Sequence, residues 1–168
     1  MLNKTMHRGA VFSEQRTWRY SLWRHWDDSS PKLVAVLLNP SWADSVRDDP
    51  TTTFMVNWAI RNGYGEYTAV NLFALIGTDP TSLLEHEDPV GADNDRYIEL
   101  AVGDADTVLV AWGSMSFAPR GSGLHFRPWA VRRMLAVFSP ICFGLTKSHA
   151  PRFPRALRRD VGTRPFLC

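Results

Sequence analysis

Leu33-Val-Ala-Val-Leu-Leu38, running straight into Asn39-Pro40-Ser41, decides how this chain is read. An apolar, β-branched run that stops abruptly at turn formers fits a strand of an open parallel sheet. The pattern recurs three times: Thr68-Ala-Val70 into Asn71-Leu72-Phe73, Thr107-Val-Leu-Val-Ala111 into Trp112-Gly113-Ser114, and Ile141-Cys-Phe-Gly-Leu145 into Thr146-Lys147-Ser148-His149. In such a sheet, ligands bind beyond the carboxyl ends of the strands, where strand order reverses. The four endings are therefore expected to converge on one crevice.

Helix signals lie between the runs. Asp49 reads as an N-cap with Pro50 at the first helical position, where a missing N–H costs nothing. Phe54 and Trp58 then share a face, as do Met55 and Ala59, and Asn62-Gly63 supplies the stop. Thr78-Asp79-Pro80 opens a short helix, Asp88-Pro89 a segment whose helix carries Tyr97, Ile98 and Ala101, and Pro128 a helix bearing Trp129, Met134, Leu135 and Phe138. Strands alternating with such helices predict right-handed βαβ crossovers. The expected fold is a three-layer α/β/α domain over residues 1–168, with a central four-stranded, mostly parallel sheet and an N-terminal edge strand or hairpin. Residues Arg16 to Trp26 alternate rings with cations, which suits an exposed or edge strand. Such a strand either stacks single-stranded bases or lies half buried with snorkelling arginines.

Composition excludes several classes. Apolar residues make up 45% of 168, near the globular average, so the chain is neither disordered nor fibrous. No apolar run reaches membrane-spanning length, and Met1 to Arg8 lacks the apolar stretch of a signal peptide. A soluble, cytoplasmic monomer without a membrane partner is expected. Cys142 and Cys168 form no Cys-x-x-Cys pair, so no metal and no cofactor is expected. Lys4, Lys32 and Lys147 are the only lysines among 19 cationic side chains. That arginine bias suits phosphate contacts, and a high-GC genome produces it equally well. P-loop, dinucleotide-binding, zincin and α/β-hydrolase motifs are all absent.

The strand endings hold the candidate chemistry. Asn39 can orient a water and Asp44 can accept a proton, although Asn-Pro-Ser is also ordinary turn chemistry and Asp44 also suits a turn cap. Asn71 interrupts an apolar run with an amide that carries both donor and acceptor, as reading a base edge requires; it equally suits tying down a loop. Gly113 permits close backbone approach and Ser114 can donate to phosphate, while the Met115 to Phe126 loop brings Arg120. His149 sits in a basic loop with Lys147, Ser148 and Arg152, where it either stabilises a leaving group, binds phosphate or stands idle in solvent.

Two family resemblances meet at these residues. Leu38-Asn-Pro-Ser-Trp-Ala-Asp44, Asp49-Pro-Thr51, Val70-Asn-Leu-Phe-Ala-Leu75, Thr78-Asp-Pro80, Asp88-Pro-Val-Gly91, Ala111-Trp-Gly113 and Gly144-Leu-Thr-Lys147 together resemble the DUF1643 family. The order of the endings also resembles the uracil-DNA glycosylase superfamily. In that superfamily a water-positioning Asn or Asp precedes a proline, a later strand ends in a base-reading Asn, another in Trp-Gly, and a final loop carries histidine. One departure is visible: Ala150 precedes Pro151 and Phe153 precedes Pro154, with His149 one residue early.

The second resemblance implies a uracil-DNA-glycosylase-like sheet and a monofunctional DNA glycosylase that flips a base from double-stranded DNA and leaves an abasic site. It implies catalytic roles for Asn39, Asp44 and His149, and base binding by Pro40, Ser41, Trp42, Asn71 and Phe73. Ser114, Arg120, Lys147, Ser148, Arg152 and Arg155 would hold DNA. The chain further resembles bacterial anti-phage glycosylases that remove glucosylated 5-hydroxymethylcytosine. The alternatives are a non-catalytic nucleic-acid-binding module and a hydrolase of free modified nucleotides.

Overall fold

The computed structural model describes residues 5–155 and 157–167; the readings that fall on Met1 to Lys4 and on Cys168 lie outside them. Strands β1 (His7–Phe12), β2 (Arg19–His25) and β3 (Lys32–Leu37) are followed by helix α1 (Pro50–Arg61) and β4 (Glu66–Asn71). A short 3-10 helix, Pro80–Leu84, precedes α2 (Asn94–Gly103) and β5 (Thr107–Val110). Helix α3 (Phe126–Leu135), β6 (Ile141–Cys142) and β7 (Arg164–Pro165) complete the order.

One sheet of seven strands, ordered β1-β2-β4-β3-β5-β6-β7, runs through the molecule. β3 pairs parallel with β4 and β5, and β5 with β6, whereas β1–β2, β2–β4 and β6–β7 are antiparallel. This mixed sheet corrects the expected four-stranded, mostly parallel, uracil-DNA-glycosylase-like sheet. The N-terminal hairpin does form one edge of the sheet, with β1 outermost, and its second strand is integrated: β2 pairs with β4 from Leu22 to His25. The arginines of β2 are accordingly not snorkelling. Arg19 is 3% exposed and Arg24 not exposed at all, because the loop after β3 folds over the strand and brings acceptors to them.

β3 shows why the layers form. Leu33, Ala35 and Leu37 pack on one side with Met55, Val56, Trp58 and Ala59 of α1. Val34, Val36 and Leu38 pack on the other side with Ile98 and Val102 of α2 and Val131 and Leu135 of α3. A central strand with helices on both faces must be apolar at every position, which is what Leu33 to Leu38 records. Each fully buried Leu or Val here stabilises the fold by roughly 1.5–3 kcal/mol.

The α1 signals hold in the structure. Asp49 accepts a hydrogen bond from the Thr52 N–H (2.7 Å), Pro50 opens the helix, and Gly63 follows the Asn62 cap at a φ of 81°. Asp79 caps the 3-10 helix in the same manner. Helix α3 starts two residues before Pro128 and ends before Phe138. Among the described residues no helix is long and apolar enough to cross a membrane.

Candidate active site

A cleft of about 1110 Å³ opens at the carboxyl ends of β3, β4 and β5, on the side of the sheet that α1 covers. β3 is where strand order reverses, with β4 on one flank and β5 on the other, so the cleft lies at the switch point. Of the strand-end and loop residues given candidate roles from the sequence, Asn39, Ser41, Trp42, Asn71, Gly113, Ser114 and Arg155 line it.

Asn71 closes β4 and is 1% exposed. Its backbone is fixed from behind: the Asn94 side chain donates to the carbonyls of Asn71 (3.0 Å) and Leu72 (3.1 Å), and Arg127 Nε donates to the latter (2.6 Å). Its side-chain Nδ2 and Oδ1 have no partner among the described residues. A buried polar atom left unpaired costs about 1–3 kcal/mol, so an amide with both ends unpaired is arranged for something other than stability. Tying down the neighbouring loop falls to Asn94 and Arg127 instead.

Asn39 lies two residues beyond the end of β3 and is held differently. Its Nδ2 donates to the Gly77 carbonyl (2.8 Å) and the Pro40 carbonyl (3.3 Å), while Gly77 N–H donates to Pro40 O (2.9 Å). Two carbonyl acceptors around Nδ2 fix which end of the amide is oxygen, and Oδ1 is left as its acceptor. Trp42, half exposed, stands at the rim. Pro40 is buried, with its carbonyl taken by Gly77.

Among the further side chains that line the cleft, Arg19, Tyr67 and Asp49 carry chemistry that the strand endings did not announce. Arg19 owes its position to a bulge. β1 and β2 stay in step from His7↔His25 to Val11↔Ser21, but Phe12 then pairs with Arg19, so Tyr20 is an extra residue. Tyr20 turns away and stacks on Tyr97 of α2 (5.0 Å, 4°), and Arg19 turns to the α1 side. There its Nη1 donates to Ala43 O (2.7 Å) while Nε finds no partner among the described residues. Burial pulls its pKa down to about 10, opposed mainly by the negative charge of Asp49, and it remains cationic at neutral pH. Tyr67 is fully buried with an unpartnered hydroxyl, and burial pushes its pKa up so that the proton stays on.

The third and fourth endings are joined. Gly113, at a φ of 77°, donates from its N–H to Pro151 O (2.8 Å), and a Cβ at this position would lie 3.2 Å from Phe153 Cβ. Phe153, Pro154 and Arg155 thereby become one wall of the cleft. The turn before them projects elsewhere: Thr146 N–H donates to Ala150 O (2.8 Å), and His149 sits in it at a φ of 60°, exposed. Lys147, Ser148, His149 and Arg152 are exposed and do not line the cleft, nor does Arg120. Phe73 is buried in the core on the side of α2 and α3. Asp44 also lies outside the lining. Its Oδ1 accepts from the N–H groups of Val46 (2.8 Å) and Arg47 (2.8 Å), which hold its pKa below the usual carboxylate range.

The sequence model of a family described as "Protein of unknown function (DUF1643)" matches residues 19–155. The chain belongs to the DUF1643 family. The matched span runs from Arg19 to Arg155 and takes in the whole lining of the cleft except Leu157, so the cleft is part of the DUF1643 unit itself. β1 and β7 fall outside it. No curated protein and no solved structure matches the chain.

Proposed function

We propose that this protein is a monofunctional DNA glycosylase, a cytoplasmic monomer that hydrolyses the N-glycosidic bond of a base flipped from double-stranded DNA. The observation that carries the reading is Asn71: a fixed, buried amide with both polar ends unpaired, in the same cleft as the oriented amide of Asn39. An amide so placed can donate to and accept from the edge of a base that has left the stack. The order of the two asparagines along the chain, one at each of two adjacent parallel strand ends, is also that of the uracil-DNA glycosylase superfamily.

The chemistry follows from these positions. The C1′–N bond breaks and its electron pair leaves with the base, while C1′ takes on oxocarbenium character. Water held by Asn39 Oδ1 adds its oxygen to C1′, and one of its protons ends on the departed base. Trp42 at the rim covers the extruded nucleotide, and Arg155 and Ser114 face the backbone phosphates. No lysine lines the cleft among the described residues, which favours hydrolysis over a Schiff-base lyase. The cleft, about 1110 Å³ against the roughly 300–1,000 Å³ of ordinary small-molecule pockets, has room for a base enlarged at C5, such as glucosylated 5-hydroxymethylcytosine.

Incubation with T-even phage DNA, uracil-containing DNA and plain DNA, followed by alkali, tests the reading. Strand breaks in the phage DNA that disappear with Asn39→Ala are expected. No breaks in any of the three would remove the proposal and leave a non-catalytic nucleic-acid-binding module. Release of base from free nucleotides, insensitive to salt, would instead mark a nucleotide hydrolase.

A further inference from the structure

We propose that Arg19, together with the Tyr67 hydroxyl, binds the oxygen-bearing edge of the base and holds the negative charge it carries as it leaves. This inference rests on the glycosylase reading for its reaction and on the geometry of β2 and β4 for its residues.

Arg19 is a buried cation outside any ion pair: among the described residues the negative charge that acts on it most, Asp49, lies beyond ion-pair reach, and Nε has no acceptor. Its one hydrogen bond goes to a neutral carbonyl, that of Ala43. A buried charge is tolerated when it is paired and hydrogen-bonded, so the missing partner of Arg19 is a group that the folded chain does not supply. The β2 bulge turns this cation into the cleft; regular alternation from Leu22 would place Tyr20 there instead. Bulges re-aim side chains in this manner beside functional sites.

Tyr67 adds a hydroxyl that is buried, protonated and unpartnered in the same cleft. Arg19 Nε and the Tyr67 O–H are thus two unused donors, and Asn71 supplies a further donor and an acceptor. That set suits a flat ring with an exocyclic oxygen, and suits it better when the ring is anionic. A departing base is such an anion, since the electron pair of the broken C1′–N bond spreads from its ring nitrogen onto the oxygen. His149, exposed outside the lining, is not placed to share this task.

Calorimetric titration with free bases tests the site without turnover. 5-Nitrouracil, ionised at neutral pH, is compared with neutral uracil, and neutral thymine controls for bulk at C5. Wild-type protein is expected to bind 5-nitrouracil at least about tenfold tighter than either. Arg19→Gln should erase that preference. Tyr67→Phe, which removes only an unpartnered oxygen, should narrow it while leaving thermal stability equal or higher. Failure of the wild-type protein to prefer the anion, or a preference that persists in both variants, overturns the proposal; if Arg19→Gln does not fold, Tyr67→Phe decides. Assays for abasic sites in T-even phage DNA separate the two readings. An Arg19-dependent anion preference without abasic sites keeps this site and removes the glycosylase. Abasic sites without the preference do the reverse.

Discussion

β2 carries two buried arginines on one face, and they are treated in opposite ways. Arg24, directly across from Tyr67 in the sheet, donates from Nε (2.8 Å) and Nη2 (2.6 Å) to Asp48 and gives further bonds to the carbonyls of Trp23 (2.8 Å) and Asp44 (2.6 Å). Arg19, five residues earlier and beyond the bulge, has one bond and no carboxylate. A satisfied buried arginine is a clamp; it welds the loop 44–48 to the strand. An unsatisfied one is a socket. The difference separates the part of the molecule that holds its shape from the part proposed to bind the base.

Arg24→Met should break the clamp and gives the largest expected change in stability. It leaves the partly exposed Asp48 carboxylate to Arg8 alone (3.0 Å) and strips the carbonyls of Trp23 and Asp44 of a donor, so the loss should reach about 2–3 kcal/mol, below the roughly 3–5 kcal/mol of a buried charge left wholly unpaired. Urea denaturation should show that loss with little change in slope; a loss under about 1 kcal/mol would mean that Arg24 is no clamp. Asn71→Leu should behave in the opposite way. Excision should fall at least about a hundredfold, the scale of losing a well-placed polar contact to the reacting group. Stability should hold or rise, because two unpaired buried atoms disappear. A variant that loses both together would place Asn71 with Arg24, among the residues that hold the fold.

Gly113→Ala probes the joint between the third and fourth strand endings. A side chain at positive φ costs roughly 1–2 kcal/mol, and the new Cβ would press on Phe153. Thermal unfolding should register that loss, and excision should fall with it because Phe153 to Arg155 form a cleft wall. Unchanged excision beside the full stability loss would show that the wall position does not matter to the reaction.

The contrast between clamp and socket also explains what was legible in the sequence. Leu33 to Leu38 announces a strand buried on both faces because periodicity is a local property, and Asp49-Pro50 announces a helix start for the same reason. Asn71 stood out because an amide in an apolar run is conspicuous. Arg19 did not: among the cations and rings of Arg16 to Trp26 it looks like any other member of an edge strand. Its role depends on a one-residue bulge and on pairing of β2 with β4, which joins residues as far apart in the chain as Leu22 and Ala69, and neither leaves a local mark. Asp44 and Asp49 show the same limit. Both read as turn or helix caps and both are caps, yet only Asp49 also faces the cleft, because the loop before α1 turns Asp44 toward its own backbone.

Acid unfolding sharpens that last distinction with a smaller effect. The two N–H donors that lower the Asp44 pKa stabilise the ionised form in the folded state, so the unfolded chain takes up this proton at higher pH. The contribution is complete above the ordinary carboxylate range and is lost as pH falls through the lower folded value. Asp44→Asn keeps an acceptor for the cap and removes the titration, so the wild-type advantage over the variant should shrink as pH drops through that window. A constant difference at all pH values would break the assignment of Asp44 as a charged cap.

His149→Ala carries the smallest expected effect and cuts most directly at the site. If charge on the leaving base is held from β2 and β4, the exposed turn of the fourth ending has no part in it. Excision should stay within about twofold of wild type, and stability within about 0.5 kcal/mol, as for a surface substitution. Any small stability loss would come from the backbone, since His149 sits at a φ of 60°, and His149→Gly should then recover it. A collapse of excision in His149→Ala with the fold intact would move the leaving-group contact from the sheet to the loop. It would require that turn to swing over the cleft when DNA binds, and Arg19 would then have to be explained by ground-state binding alone.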